Sequence, residues 1–300
     1  MNVIIADYKN QTMDHLDKFI NNRKAQLFML IDGVYSFDDH TTLQKMYELQ
    51  ENVKCYLLYL DTKLSNYIDI SPLLVQVDDV ECITDFIKDF DMEESTIFLT
   101  SHHDCDSLGE HLSNFIEVDL YGEVVFFRFY DPLIMFSIVN CKNESLKEKL
   151  FLGINQVFFI YDNSQKAILF AEDKNQSNVS IRDTLGDIII SDDLYERLVF
   201  DKEEREKHKA EDYVSVNYPN INTMEVVRKS FDLCKQYKLM NSVSLEFFCD
   251  VIVNDEKFLS VSEVKMLLGD FKLEVNVKNE KLEEFYALYK VGLLNDINYK

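Results

Sequence analysis

The densest group of chemically able side chains in this sequence is Ser101-His102-His103-Asp104-Cys105-Asp106. Imidazole, carboxylate and thiolate are donors suited to zinc, so His102, His103 and Asp104 are the candidates for a metal-dependent hydrolase. Adjacent residues rarely all point at one ion, however, and no second cluster supplies the remaining ligands. The segment also stands between a strand-like run and a helical stretch, where Asp104 or Asp106 fits a helix N-cap. We read it as that cap, and expect no metal.

Other chemistry is thinner still. The acid pairs Asp38-Asp39 and Asp78-Asp79 could in principle serve hydrolysis, but among 54 acidic residues adjacent pairs arise by chance, and these sit in turn-like contexts. His15, His40 and His111 stand apart from one another. A G-x-S-x-G elbow, an H-E-x-x-H helix and a P-loop are all absent, and seven glycines leave none for cradling a nucleotide. The expectation is a non-enzyme with no catalytic residue and no cofactor.

Arg128 is the more specific feature. It lies inside the apolar run from Gly122 through Pro132, where an unpaired guanidinium would cost several kcal/mol. Asp131 or Asp32 is its expected partner. Arg128 is expected to be more than half buried, and with the pair buried its removal should cost about 3–5 kcal/mol, because the acid would be stranded. The plain reading is an ion pair that orients a strand-to-helix corner. The functional alternative is that the same corner forms part of a binding groove.

The elements that must position these residues follow from periodicity. Glu123 to Tyr130 reads as a strand covered on both faces, hence a central strand of a mixed or parallel sheet. Asp131 then caps a helix that opens on Pro132. Gln26–Gly33, Val53–Leu60, Leu73–Val77 and Thr96–Thr100 also read as strands. Helical spacing is seen at Met13–Ile20, Leu43–Leu49, Cys82–Ile87 and Leu108–Ile116. Residues 156–172 read as a hairpin, and Asp173–Asn178 as a linker. Thereafter the period turns helical. Asp201 to Asp212 reads as a solvated helix face. Met224, Val227, Phe231 and Cys234 form an apolar stripe behind an Asn222–Glu225 capping box, and Ser260–Glu263 is a second box. Gly269 closes the helix that this box opens, and Leu282, Phe285, Tyr286 and Tyr289 make a last amphipathic helix. The fold class is therefore α/β: an N-terminal lobe with a central mixed sheet (residues 1–185) and a smaller all-helical lobe (186–300).

Composition limits the partners. With 31 basic and 54 acidic residues the net charge is −23, which argues against nucleic acid and anionic membrane, both held by clustered Lys and Arg. No apolar run approaches the roughly 20 residues of a membrane span. The N-terminus lacks a signal peptide's pattern. Six scattered cysteines without C-x-x-C read as reduced core residues, so the expected location is cytoplasmic.

Four segments carry a resemblance. Leu30-Ile31-Asp32-Gly33, Pro72-Leu73-Leu74-Val75-Gln76-Val77, His111-Leu112 and Gly122 through Pro132 stand in the order and spacing of L-x-D-G, P-x-L-V-x-L, H-L and G-x-x-x-x-F-R-x-Y-D-P. Over roughly residues 25–155 the chain resembles the type VI secretion adaptor family, effector chaperones catalogued as a domain of unknown function. In the helical lobe Tyr237-Lys238-Leu239-Met240 and Ser244–Phe248 are similar to the family's G-I-x-x-x-x-D-L-x-x-F, with Lys238 in place of Gly. The family's Trp after F-G-P has no counterpart here. The resemblance implies a non-enzymatic cytoplasmic protein that binds a secreted effector, keeps it soluble and loads it onto the VgrG spike protein. It points to Asp32, Arg128, Tyr130, Asp131 and Pro132 as structural or partner-binding residues. An immunity protein that neutralises a toxin is the alternative within protein binding, and the hydrolase using His102, His103 and Asp104 the alternative outside it.

Overall fold

The computed structural model describes residues 2–7, 19–21, 23–34, 36–37, 40–49, 54–81, 86–87, 95–142, 144–161, 166–171 and 188–294. The chain divides into two compact units, Met1–Asp201 and Lys202–Lys300. The expected linker at 173–178 and the boundary near 185 lie outside the described residues, as do Asp38-Asp39, His15 and Cys82.

The first unit is built on a seven-stranded sheet. In chain order its strands are β1 (Asn2–Asp7), β2 (Gln26–Ile31), β5 (Cys55–Leu57), β6 (Leu73–Gln76), β7 (Thr96–Ser101), β10 (Ile154–Tyr161) and β11 (Lys166–Ala171). Two short strands, β3 (Ser36–Phe37) and β4 (His40–Thr41), pair with each other outside it. Across the sheet the order is β1-β11-β10-β7-β2-β6-β5, and every pairing is antiparallel. The β10–β11 hairpin is the one anticipated at 156–172.

The strands read as near-continuous apolar runs because both faces of the sheet are covered. Phe28, Leu30, Ile97, Leu99, Val157 and Phe159 turn to one core. Their neighbours Leu27, Met29, Phe98, Phe158 and Ile160 turn to the other. Helices α2 (Cys105–Ser113) and α3 (Pro132–Asn140) pack on the first face through Leu108, Leu112, Met135 and Ile138. Helix α1 (Thr42–Leu49) covers the second through Met46, beside Phe19 and Phe86. Helix α4 (Glu144–Leu150) precedes β10.

The central-strand expectation is overturned. Residues 123–130 are not a central strand. Strand β9 is only Glu123–Phe126, and it pairs with β8 (Glu117–Leu120) in a separate two-stranded ribbon. Val124 and Phe126 are each 59% exposed. The chain leaves strand geometry after Phe126, and Phe127 and Phe129 are buried from a turn. Tyr121 and Gly122 explain the ribbon. Both have positive φ (56° and 86°), the condition of a two-residue hairpin turn. The run Val53–Leu60 is likewise shortened to β5, followed by turns.

The second unit is all helical. Helix α5 (Asp192–Asn217) spans the unit boundary, and its later residues join α6 (Thr223–Tyr237), α7 (Ser242–Asp255), α8 (Ser262–Gly269) and α9 (Val275–Lys290). Phe231, Cys234, Leu245, Phe248, Phe258, Val264 and Leu282 form its core. Asn222 caps α6 by accepting from the Glu225 amide, as read from the sequence. Met224, however, is 76% exposed, and Val226 takes the buried place beside Val227. Ser260 caps nothing: its hydroxyl donates to the Lys257 carbonyl inside a 3-10 turn, and α8 opens after Val261. Lys238 closes α6 in the left-handed region, φ 56° and ψ 42°. That backbone suits glycine.

Among the described residues no helix is long and apolar enough to cross a membrane. Among the described residues Cys105, Cys141, Cys234 and Cys249 are buried and Cys55 is partly so.

Candidate functional site

Three of the four motif segments converge on one corner of the first unit, and the His111 segment reaches it through Phe115. Asp32 follows β2 directly, and its Oδ2 accepts from Nη2 of Arg128 at 2.6 Å. Asp131 is not the partner, because its carboxylate accepts from the Leu133 amide at 2.9 Å and caps α3, with Pro132 in the first turn. Asp131 is thus the cap expected of it. The Arg128 pair is less enclosed than expected. The Arg128 side chain is 53% exposed and that of Asp32 13%. Emerging from a turn rather than a strand interior, the guanidinium meets water on one side. A pair of that exposure contributes about 1 kcal/mol or less, not the 3–5 of a buried one. Partial burial works against the Arg128 charge, but Asp32, Tyr130 and Asp131 outweigh it and raise its pKa.

Tyr130 lies beneath this pair. Its ring centroid is 5.7 Å from the Arg128 guanidinium carbon, a cation–π arrangement. Its hydroxyl is 3.1 Å from the Tyr59 hydroxyl. Burial, with that hydrogen bond second, pushes the Tyr130 phenol far up, so it stays protonated. Phe129 packs edge-on against Phe115 and Tyr130 and is fully buried. Gly33 sits against the backbone before Pro72: a Cβ there would lie 2.0 Å from the Ser71 carbonyl oxygen. Ser71 in turn accepts the Tyr59 amide at 3.0 Å. Tyr59 and Ser71 are not singled out in the sequence, and Gly33 only as the last residue of the L-x-D-G segment. Only the close approach of two loops, from residues far apart in the chain, makes them matter.

The fourth segment holds the other side. His111 on α2 is buried, and its Nε2 is 3.1 Å from the Leu150 carbonyl, to which it donates. Desolvation pulls its pKa from 6.5 down to about 4, with the Leu150 bond opposing in part. The fold therefore needs the neutral ring. The unfolded chain takes up a proton below pH 6.5 while the native ring does not, so stability is full above that value and falls as pH drops toward 4. The loss should reach about 3 kcal/mol at pH 4. Urea unfolding of wild type and His111→Gln from pH 7 to 4 checks this. Parallel pH slopes for the two proteins would rule it out.

The histidine-rich turn is committed to structure. The Ser101 hydroxyl donates to the Gly153 carbonyl at 2.7 Å and accepts the His103 amide at 3.0 Å. Asp104 caps α2 by accepting the Ser107 amide at 2.8 Å. Burial pushes the Cys105 thiol up to about 12. His102 and Asp104 are exposed. Among the described residues no group of three His, Cys, Asp or Glu could hold a metal. Asp78 accepts from the Gln76 amide group at 2.9 Å. Asp201, read as solvated, is instead buried, accepting from Ser137 at 2.6 Å and Arg197 at 2.7 Å.

No curated protein and no solved structure matches the chain. Residues 27–148, running from β2 through the Asp32–Arg128 corner into α4, match a family described as a domain of unknown function (DUF4123).

Proposed function

We propose that this chain is a non-enzymatic adaptor that binds a type VI secretion effector in the cytoplasm, stabilises it and loads it onto the VgrG spike. One observation carries the reading. The stretch matching the family is the stretch whose motif segments meet at the Asp32–Arg128 corner, and the polar groups there are spent on holding elements together. Asp32 answers Arg128, Tyr130 meets Tyr59, Asp131 caps a helix and His111 meets a carbonyl. Such a corner gives a rigid scaffold for protein surfaces, and it leaves no pair of activated groups facing a substrate. The net charge of −23 suits partners with basic segments.

Deleting the gene in its host, with the rest of the apparatus intact, tests the proposal. The cognate effector should fall in level and cease to be exported. An effector that stays abundant and is secreted normally would sink the adaptor reading. Neutralisation of effector toxicity on co-expression would move it to the immunity class.

A further inference from the structure

We infer that the outer edge of β9 is a docking site for an extended, basic segment of a partner polypeptide, which joins the β8–β9 ribbon as an added strand. The inference rests on the protein-binding reading above but concerns a surface that the Asp32–Arg128 corner does not include.

The hydrogen-bond phase of the ribbon defines the edge. Leu120 and Glu123 flank the two-residue turn, and the mutually bonded pairs then alternate down the ladder. The phase is fixed by the Phe127 amide, which donates to the Ile116 carbonyl at 2.9 Å. Val124 and Phe126 accordingly turn their N–H and C=O groups away from β8. On the far side of β8, Asp119 presents the same groups and both are met: its amide donates to Ile188 at 2.8 Å, and its carbonyl accepts from Ile190 at 2.9 Å. Strand β8 is therefore flanked twice. Among the described residues β9 is flanked once.

The side chains reinforce the backbone. Val124 stands opposite Asp119, which bridges to Ile189, and Phe126 stands opposite Glu117. Val124, Phe126 and Ile189 are thus neighbours on one outward face, each more than half exposed. Folded proteins ordinarily blunt an apolar edge with charged side chains, Pro or a bulge, and beyond Glu123 the run Val124-Val125-Phe126 has none of these.

Charge selects the occupant. Glu117, Asp119 and Glu123 lie on the ribbon, and Asp192 and Glu196 act on Tyr121 at its tip. Lys63 approaches Glu117 at 3.4 Å, while the other Glu117 oxygen, Oε1, is buried without a hydrogen-bond partner. A second copy pairing through β9 would bring two acidic rims together, which disfavours a homodimer. The apolar residues of an alternating strand meet Val124 and Phe126 on the outward face, and Lys or Arg between them falls on the face of Glu123.

The test uses the full chain and a short synthetic peptide alternating lysine with valine, beside a glutamate–valine peptide as comparator. The lysine–valine peptide should bind saturably and slow hydrogen exchange at the Val124 and Phe126 amides. Val124→Pro deletes an outward N–H without touching the hairpin's own bonds, and should weaken binding by about tenfold or more. Val124→Lys, which keeps the N–H and adds a repelling charge, should do the same if the proline variant fails to fold. No binding, affinity unchanged in the variants, or equal binding of the glutamate–valine peptide would each overturn the proposal. So would a dimer of the wild-type chain that Val124→Pro abolishes, which would make a second copy the occupant. These readouts are independent of the gene deletion, so the two readings can fail separately.

Discussion

Phe129→Ala is expected to destabilise the first unit by about 3–5 kcal/mol, the range for emptying a buried phenylalanine site, while Arg128→Ala costs about 1 kcal/mol or less. The signature's conspicuous charge is half in water, and its energetic centre is the aromatic residue beside it. Phe129 has no exposed surface and contacts Phe115 just beyond α2, Phe127 and Tyr130. Removing the ring leaves a cavity among groups that helices and loops hold from several sides, so little of it can collapse. Urea denaturation followed by near-ultraviolet circular dichroism measures both variants. An Arg128→Ala protein less stable than Phe129→Ala would show that the ion pair, not the ring, holds the corner.

Gly33→Ala should be comparably damaging, at about 3 kcal/mol or more, beyond the usual cost of one surplus methyl in a core. The added Cβ would lie 2.0 Å from the Ser71 carbonyl oxygen, 2.6 Å from its carbon and 2.7 Å from the Ile70 carbonyl carbon. These are backbone atoms with no rotamer to escape into. Moving Ser71 would strain its bond to the Tyr59 amide, and moving Gly33 would displace Asp32 from Arg128. Gly122→Ala makes the contrast. Nothing lies within 4 Å of its Cβ, and only its φ of +86° resists substitution, a penalty of about 1 kcal/mol. Melting temperatures should rank wild type above Gly122→Ala and Gly122→Ala well above Gly33→Ala. Equal melting temperatures for wild type and Gly33→Ala would refute the close packing of these loops.

Local chemistry was readable from the chain. The Asp131-Pro132 cap, the Asp104 cap and the runs that became β2, β6, β7 and β10 depend on neighbours within a few residues, where propensity and capping act. The change from strand to helical period toward the C-terminus was readable for the same reason. Residues 123–130 were misread because an apolar β-branched run signals a strand without saying which faces are covered. Tyr121-Gly122 folded it back as an exposed ribbon, and Tyr is an uncommon residue for positive φ, so the turn gave little warning. Arg128 was rightly seen to need a carboxylate. The choice of Asp32 over Asp131 was settled by a contact across 96 positions and by the prior demand of the α3 amides on Asp131. Partner choice of that kind belongs to three-dimensional packing, since each acid can serve only one geometry and sequence spacing ranks the nearer one first. The antiparallel order of the seven strands and the single flanking of β9 among the described residues have the same origin: backbone hydrogen bonds carry no side-chain label, so which edges pair is decided only when the layers assemble.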